Sequence, residues 1–133
     1  MSYAEQILDI YRTSTVDASV LAVTIEAMND CAQACTADAD ADLGDSELAN
    51  MIACVRLCLD CADVCTATAR VVSRQTAHEP AVLRPLLEAC AAICARCGDE
   101  CEKHADMHPH CRICQDACRR CEQACRHLLA ATS

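Results

Sequence analysis

The spacing of the cysteines constrains this chain more than any other feature. They fall in four groups: Cys31 and Cys35; Cys54, Cys58, Cys61 and Cys65; Cys90, Cys94, Cys97 and Cys101; and Cys111, Cys114, Cys118, Cys121 and Cys125. Within each group every gap is three or four residues. At 3.6 residues per turn, such gaps put all the thiols of a group on one stripe of a helix. This is the a/d pattern of a bundle seam, with cysteine where leucine would ordinarily stand. Four stripes predict four long helices whose thiols converge on a common axis.

The rest of the sequence suits that reading. Only two glycines and three prolines interrupt 133 residues, which favours long helices over a turn-rich sheet. Tyr3 and Tyr11 are the only aromatic residues, so a core must be filled by small and aliphatic side chains and by cysteine. The pattern predicts a short helix over 3–13, with Ile7, Leu8, Ile10 and Tyr11 apolar. Longer helices are expected over 16–39, 46–74, 81–104 and 109–130. Ser46 suits an N-cap and Pro109 a first helical residue. Short connectors make successive helices antiparallel. The expected fold class is all-α: an antiparallel four-helix bundle with a short extra N-terminal helix, in one domain over 1–133.

Charge and leader signals narrow the function. The opening MSYAEQILDIYR has no basic stretch followed by an apolar one, so no signal peptide is expected. No run approaches the ~18 apolar residues of a membrane span. A cytoplasmic protein with reduced thiols is expected, and an odd cysteine count also fits an intrachain disulfide framework poorly. A net charge of -9 argues against nucleic acid and anionic membranes as partners.

Free cysteine can act as a small hydrophobe. Alanine or valine would fill the same space without the risk of oxidation, so stripes on four helices point to metal. Thiolates select Cu(I), Zn(II) or iron–sulfur clusters. Structural zinc takes four ligands in a closed tetrahedron, and a continuous stripe does not divide naturally into fours. Cu(I) accepts two or three thiolates, and one sulfur can bridge two ions. Thiols stacked about 5–6 Å apart along each helix could hold a chain of such ions. One Cu(I) per thiolate also leaves the buried column near neutral. The competing class is an electron-transfer protein using iron–sulfur clusters or reactive thiols. The ferredoxin spacings are absent, and the CxxC pairs lack the βαβ context of a thioredoxin-like catalyst. No enzymatic turnover is expected.

The two ends of the predicted tube differ. At one, the stripes continue into Asp38, Met51, His104 and His108, with His110 beside Cys111; thioether and imidazole are exchangeable Cu(I) donors that suit an entry. At the other they continue into Leu21, Val72, Leu83, Leu87, Leu128 and Leu129, an aliphatic plug. Met28 reads as packing, and His78 and His127 fall off the stripes with no assigned role. The run Asp38-Ala-Asp40-Ala-Asp42 fails the calcium-loop pattern, with Leu43 at its sixth place and Ala49 at its twelfth. It reads as a solvated acidic connector that draws cations toward the mouth.

The segments CVRLCLDCADVC, CAAICARCGDEC and CRICQDACRRCEQAC, with HADMHPHC between the last two, resemble the cytosolic branch of the bacterial copper storage proteins over nearly the whole chain. The resemblance implies a homotetramer of four-helix bundles that store many Cu(I) ions per chain and fill through a polar end. It carries the fifteen cysteines over as ligands, and His104, His108 and His110 as entry ligands. The expected partners are copper ions and, as their donor, a copper chaperone or a low-molecular-weight thiol. One departure is that the first long helix has only two cysteines, with Met28, Thr24 and Leu21 at its plug-side stripe positions. Metals there could be held by three helices only.

Overall fold

The computed structural model describes residues 1–11, 15–77 and 79–132. Its elements are α1 (Tyr3–Tyr11), α2 (Ala18–Leu43), a 3₁₀ turn (Leu48–Asn50), α3 (Ile52–Ser73), α4 (Pro80–Glu102) and α5 (Pro109–Ala131), with no strand among the described residues. The four long helices form an up-down ring: α2 packs on α3 and α5, and α4 packs on the same two. α1 lies against α2 and buries Leu8. The predicted last residues of the short helix, 12 and 13, and His78 lie outside the described residues.

Local chemistry sets the helix ends. Asp17 caps α2, its Oδ1 accepting from the Ser19 backbone N–H at 2.8 Å. Pro80 and Pro109 open α4 and α5, where a missing N–H costs nothing.

Two expectations need correcting. α2 continues to Leu43, so Asp38-Ala-Asp40-Ala-Asp42 is helical and is no connector. Cys31, Cys35, Asp38 and Asp42 follow the same 4, 3, 4 spacing as the thiol stripes, so both carboxylates face the core. Asp38 is 2% exposed and Asp42 0%. Only after Leu43 does the helix stop, with the Gly44 N–H closing onto the Asp40 and Asp42 carbonyls. Ser46 is likewise no N-cap. Residues 45–47 form a turn in which Asp45 Oδ1 accepts from the Glu47 N–H at 2.8 Å, and α3 begins only after the 3₁₀ turn, at Ile52.

The core is a column of thiols with different ends. All fifteen cysteines are fully buried and none is disulfide-bonded. Past the last thiols lie Leu21, Val72, Leu83, Leu87 and Leu128, buried with Met28, Thr24 and Thr68; Leu129 is only partly buried. The two threonines satisfy their hydroxyls on their own helices, donating to the Val20 and Val64 carbonyls at 2.9 and 2.6 Å. That leaves the plug dry without an orphaned donor.

Candidate metal centre

Each helix contributes sulfur to a ladder along the bundle axis. Nearest the mouth, Cys54, Cys58 and Cys101 surround Asp38. Next come Cys35, Cys58, Cys97 and Cys114, one from each long helix. Cys31, Cys35, Cys61 and Cys118 follow, then Cys31, Cys65, Cys94 and Cys121, and finally Cys90, Cys121 and Cys125. Within each group the donor atoms lie within 4.8 Å of one another. Successive groups share a member: Cys58, then Cys35, then Cys31, then Cys121. Contacts across helices are close: Cys35 to Cys114 3.5 Å, Cys65 to Cys94 3.6 Å, Cys58 to Cys97 3.7 Å. A single ion could therefore touch sulfurs from several helices, and one sulfur could serve two ions.

Without metal the column is a network of weak S–H···S contacts. The thiols of Cys114, Cys118 and Cys31 around Cys35, together with its burial, push the Cys35 thiol up. Loading a cation then displaces protons. At the plug end, Cys90, Cys121 and Cys125 come from α4 and α5, and Cys65 of α3 lies 3.8 Å from both Cys90 and Cys121. α2 supplies no thiol there, in keeping with Met28 and Thr24 at its stripe positions.

The mouth gathers the predicted histidines. His104 and His108 ring centres are 6.3 Å apart, and those of His108 and His110 5.5 Å. Each ring has an acidic neighbour. His104 Nε2 lies 3.0 Å from Glu100 Oε2, and His108 Nδ1 3.1 Å from Asp45 Oδ2. His110 Nδ1 lies 2.6 Å from Asp38 Oδ1 and 3.6 Å from Cys111 Sγ. Met51 caps α3, three residues before Cys54, and is fully buried. His127 stays exposed on α5, away from the thiols.

Asp38 is more central than a mouth residue. Its Oδ2 accepts from the thiols of Cys58 at 3.3 Å, Cys101 at 3.6 Å and Cys54 at 3.7 Å, while its Oδ1 holds His110. Burial raises its pKa, opposed by His110. Asp42, read from sequence as solvated, is a buried residue of the same cluster. Burial, then the Cys54 thiol and the Asp38 charge, push its carboxyl up to about 8. Burial and the two carboxylates push the Cys111 thiol up in turn. The signal for Asp42 was present: it stands four residues past Asp38 on the cysteine register.

A helical bundle whose axis is a column of buried thiols, bordered by histidines at one end and by aliphatic side chains at the other, is a polynuclear soft-metal store. The chain belongs to the copper storage protein family, whose family model matches residues 17–130. A copper storage protein, Ccsp, from Streptomyces lividans, solved with 10 copper equivalents, is 52% identical with a TM-score of 0.92, covering 96% of this chain and 98% of its own. A structure of a cytosolic copper storage protein from Streptomyces lividans with five coppers is 55% identical at a TM-score of 0.85, covering 86% of this chain and 96% of its own. An uncharacterized cysteine-rich protein of Bacillus subtilis, YhjQ, is 34% identical over 93 residues, 70% of this chain and 81% of its own length. The family is one of storage proteins and not of enzymes, which decides against the electron-transfer alternative. Among the described residues no helix is long and apolar enough to cross a membrane.

Proposed function

We propose that residues 1–133 act as one cytosolic unit that stores Cu(I) on the fifteen cysteines, with His104, His108, His110 and Met51 as exchangeable donors at the entry. The observation that carries this reading is the overlap of the thiol groups. Separate four-coordinate sites would need separate sets of ligands, whereas here each group shares a cysteine with the next. Bridging thiolates suit a soft monovalent ion that accepts two or three sulfurs. One Cu(I) per thiolate also removes the cost of burying charge.

Entry at the histidine end follows from ligand exchange. An ion passing from His104 or His108 to His110 and Met51, then to Cys111 and Cys54, swaps donors at each step. Crossing Leu87 and Leu128 would strip it of donors altogether. The acids beside the histidines attract cations to that end. A copper chaperone or a low-molecular-weight thiol would hand the ion over there. Association into a homotetramer finds support in α1, which leaves Tyr3, Ile7, Ile10 and Tyr11 exposed on its outer side.

Anaerobic titration of the reduced protein against a coloured Cu(I) chelator tests the proposal. The expected end point is on the order of one ion per cysteine. Saturation at about three or four equivalents would mean separate tetrahedral sites instead.

A further inference from the structure

The column advances in steps of one residue from each long helix. Cys35 lies 3.5 Å from Cys114 and 4.0 Å from Cys97, and Cys58 lies 3.7 Å from Cys97. One step toward the plug, Cys31 lies 3.8 Å from both Cys61 and Cys118, and Cys61 lies 3.8 Å from Cys94. The next step brings Cys65 to 3.8 Å from both Cys90 and Cys121. Across these steps α5 moves by four residues and then three, while α3 and α4 move by three and then four. α2 moves by four from Cys35 to Cys31, in phase with α5, so its next member is Met28. The same alternation then gives Thr24, Thr68, Leu87 and Cys125, and after them Leu21, Val72, Leu83 and Leu128, which form the plug.

Met28 is thus level with Cys65, Cys90 and Cys121, and all four side chains are fully buried. The other plug-side stripe positions that lack a thiol carry leucine, valine or threonine. Leucine would fill the place of Met28 at nearly the same volume and with less freedom. Thioether supplies what leucine lacks, a soft lone pair that Cu(I) accepts. It is also neutral. Among the described residues no lysine or arginine is buried. Thr24 and Thr68 spend their hydroxyl protons on carbonyls of their own helices. A surplus of thiolate charge at this dry end would be costly, and a donor that coordinates without charge avoids that cost.

We infer that Met28 is a copper ligand: its thioether sulfur is the α2 donor of the Cu(I) layer nearest the plug, beside Cys65, Cys90 and Cys121. The inference rests on the Cu(I) reading above and adds one sulfur to it. All four long helices then hold metal at that level. Because a thioether carries no proton, an ion bound there displaces fewer protons than one bound by thiols alone.

Selenium K-edge absorption of copper-loaded protein carrying selenium-labelled methionine tests this, because a direct Se–Cu bond gives its own scattering path. The four methionines are Met1, Met28, Met51 and Met107. Met1 and Met107 are exposed, so Met51→Leu leaves Met28 as the only buried one. Met51→Leu protein, loaded anaerobically with Cu(I) to its own end point, is expected to show the Se–Cu path, and adding Met28→Leu should abolish it. Met28→Leu alone should hold about one Cu(I) fewer against a competing chelator. Leucine conserves the volume, and circular dichroism checks the fold. If Met28→Leu does not fold, the Met51→Leu spectrum decides by itself. A column filled to about one ion per cysteine with no Se–Cu path overturns this inference alone, as does a path that survives Met28→Leu. Saturation at about three or four equivalents overturns the storage reading and this inference with it.

Discussion

Truncating the plug separates stability from storage. Leu128 is fully buried on α5 among Leu21, Val72 and Leu87, which come from α2, α3 and α4. Leu128→Ala removes the packing of an isobutyl group at a point where four helices meet. Those helices are also held in register by the thiol column, so they cannot close the gap. Leucine-to-alanine changes in cores cost about 2–5 kcal/mol, more where the site cannot collapse, so about 3–4 kcal/mol is expected here. Against a total stability of about 5–15 kcal/mol, the apo variant stays folded but is weakened. Urea unfolding of reduced apo protein, followed by helical circular dichroism, should show the midpoint falling by roughly 1–3 M. Copper should rescue it, since each site filled at about a thousandfold excess over its Kd adds up to about 4 kcal/mol, less whatever the unfolded thiols bind. Copper capacity should not change, because Leu128 donates nothing. A cost below about 0.5 kcal/mol would mean that the plug is not close-packed. A variant that fills faster than the wild type would mean that copper enters at the plug.

Replacing His104, His108 and His110 with alanine together with Met51→Leu should slow both uptake and chelator-driven removal of Cu(I) by at least about tenfold while capacity stays nearly intact; stopped-flow transfer from a Cu(I) donor measures this, and unaltered rates contradict it. Asp42 supplies a pH dependence. Its carboxyl rises from an ordinary 3.8 to about 8 in the folded chain, so the fold favours the protonated acid. That stabilisation is complete below 3.8 and is lost as pH climbs through about 8, with a slope of up to about 1.4 kcal/mol per pH unit between them. Urea midpoints at pH 5, 6 and 7 should therefore fall more steeply for the wild type than for Asp42→Asn, and parallel profiles would refute the assignment. Gly98→Ala tests the α4–α5 surface. A Cβ there would lie 2.9 Å from Arg119 Nη1, the end of a flexible side chain that also pairs with Asp99 at 2.9 Å. The gain of about 1 kcal/mol in helix propensity should offset the loss of exposed pairs worth about 0–1 kcal/mol each, leaving thermal stability within about 1 kcal/mol of the wild type.

The sequence by itself determined the helices, the faces they bury and the contrast between the two ends. Gaps of three and four residues are a local property, because the turn of an α-helix depends only on near neighbours. Cys54 to Cys65, or Cys111 to Cys125, could therefore be assigned to one face with no knowledge of the partners. Met51 and the three histidines could be assigned to one end because up-down connectivity brings alternate helix termini together. Which sulfurs meet across the axis was decided only by the packed bundle. Cys35 and Cys114, 79 residues apart, are 3.5 Å from each other, and the sharing of Cys31, Cys35, Cys58 and Cys121 between layers depends on the axial stagger of the helices. The same holds for Asp38 and Asp42. Aspartate in an alternating Asp-Ala run reads as solvent-exposed, because an isolated helix end could leave it in water. Here α3, α4 and α5 close over that turn of α2. The cost of burying the Asp38 carboxylate is offset by three thiols and a histidine that reach it only once the tertiary structure has formed.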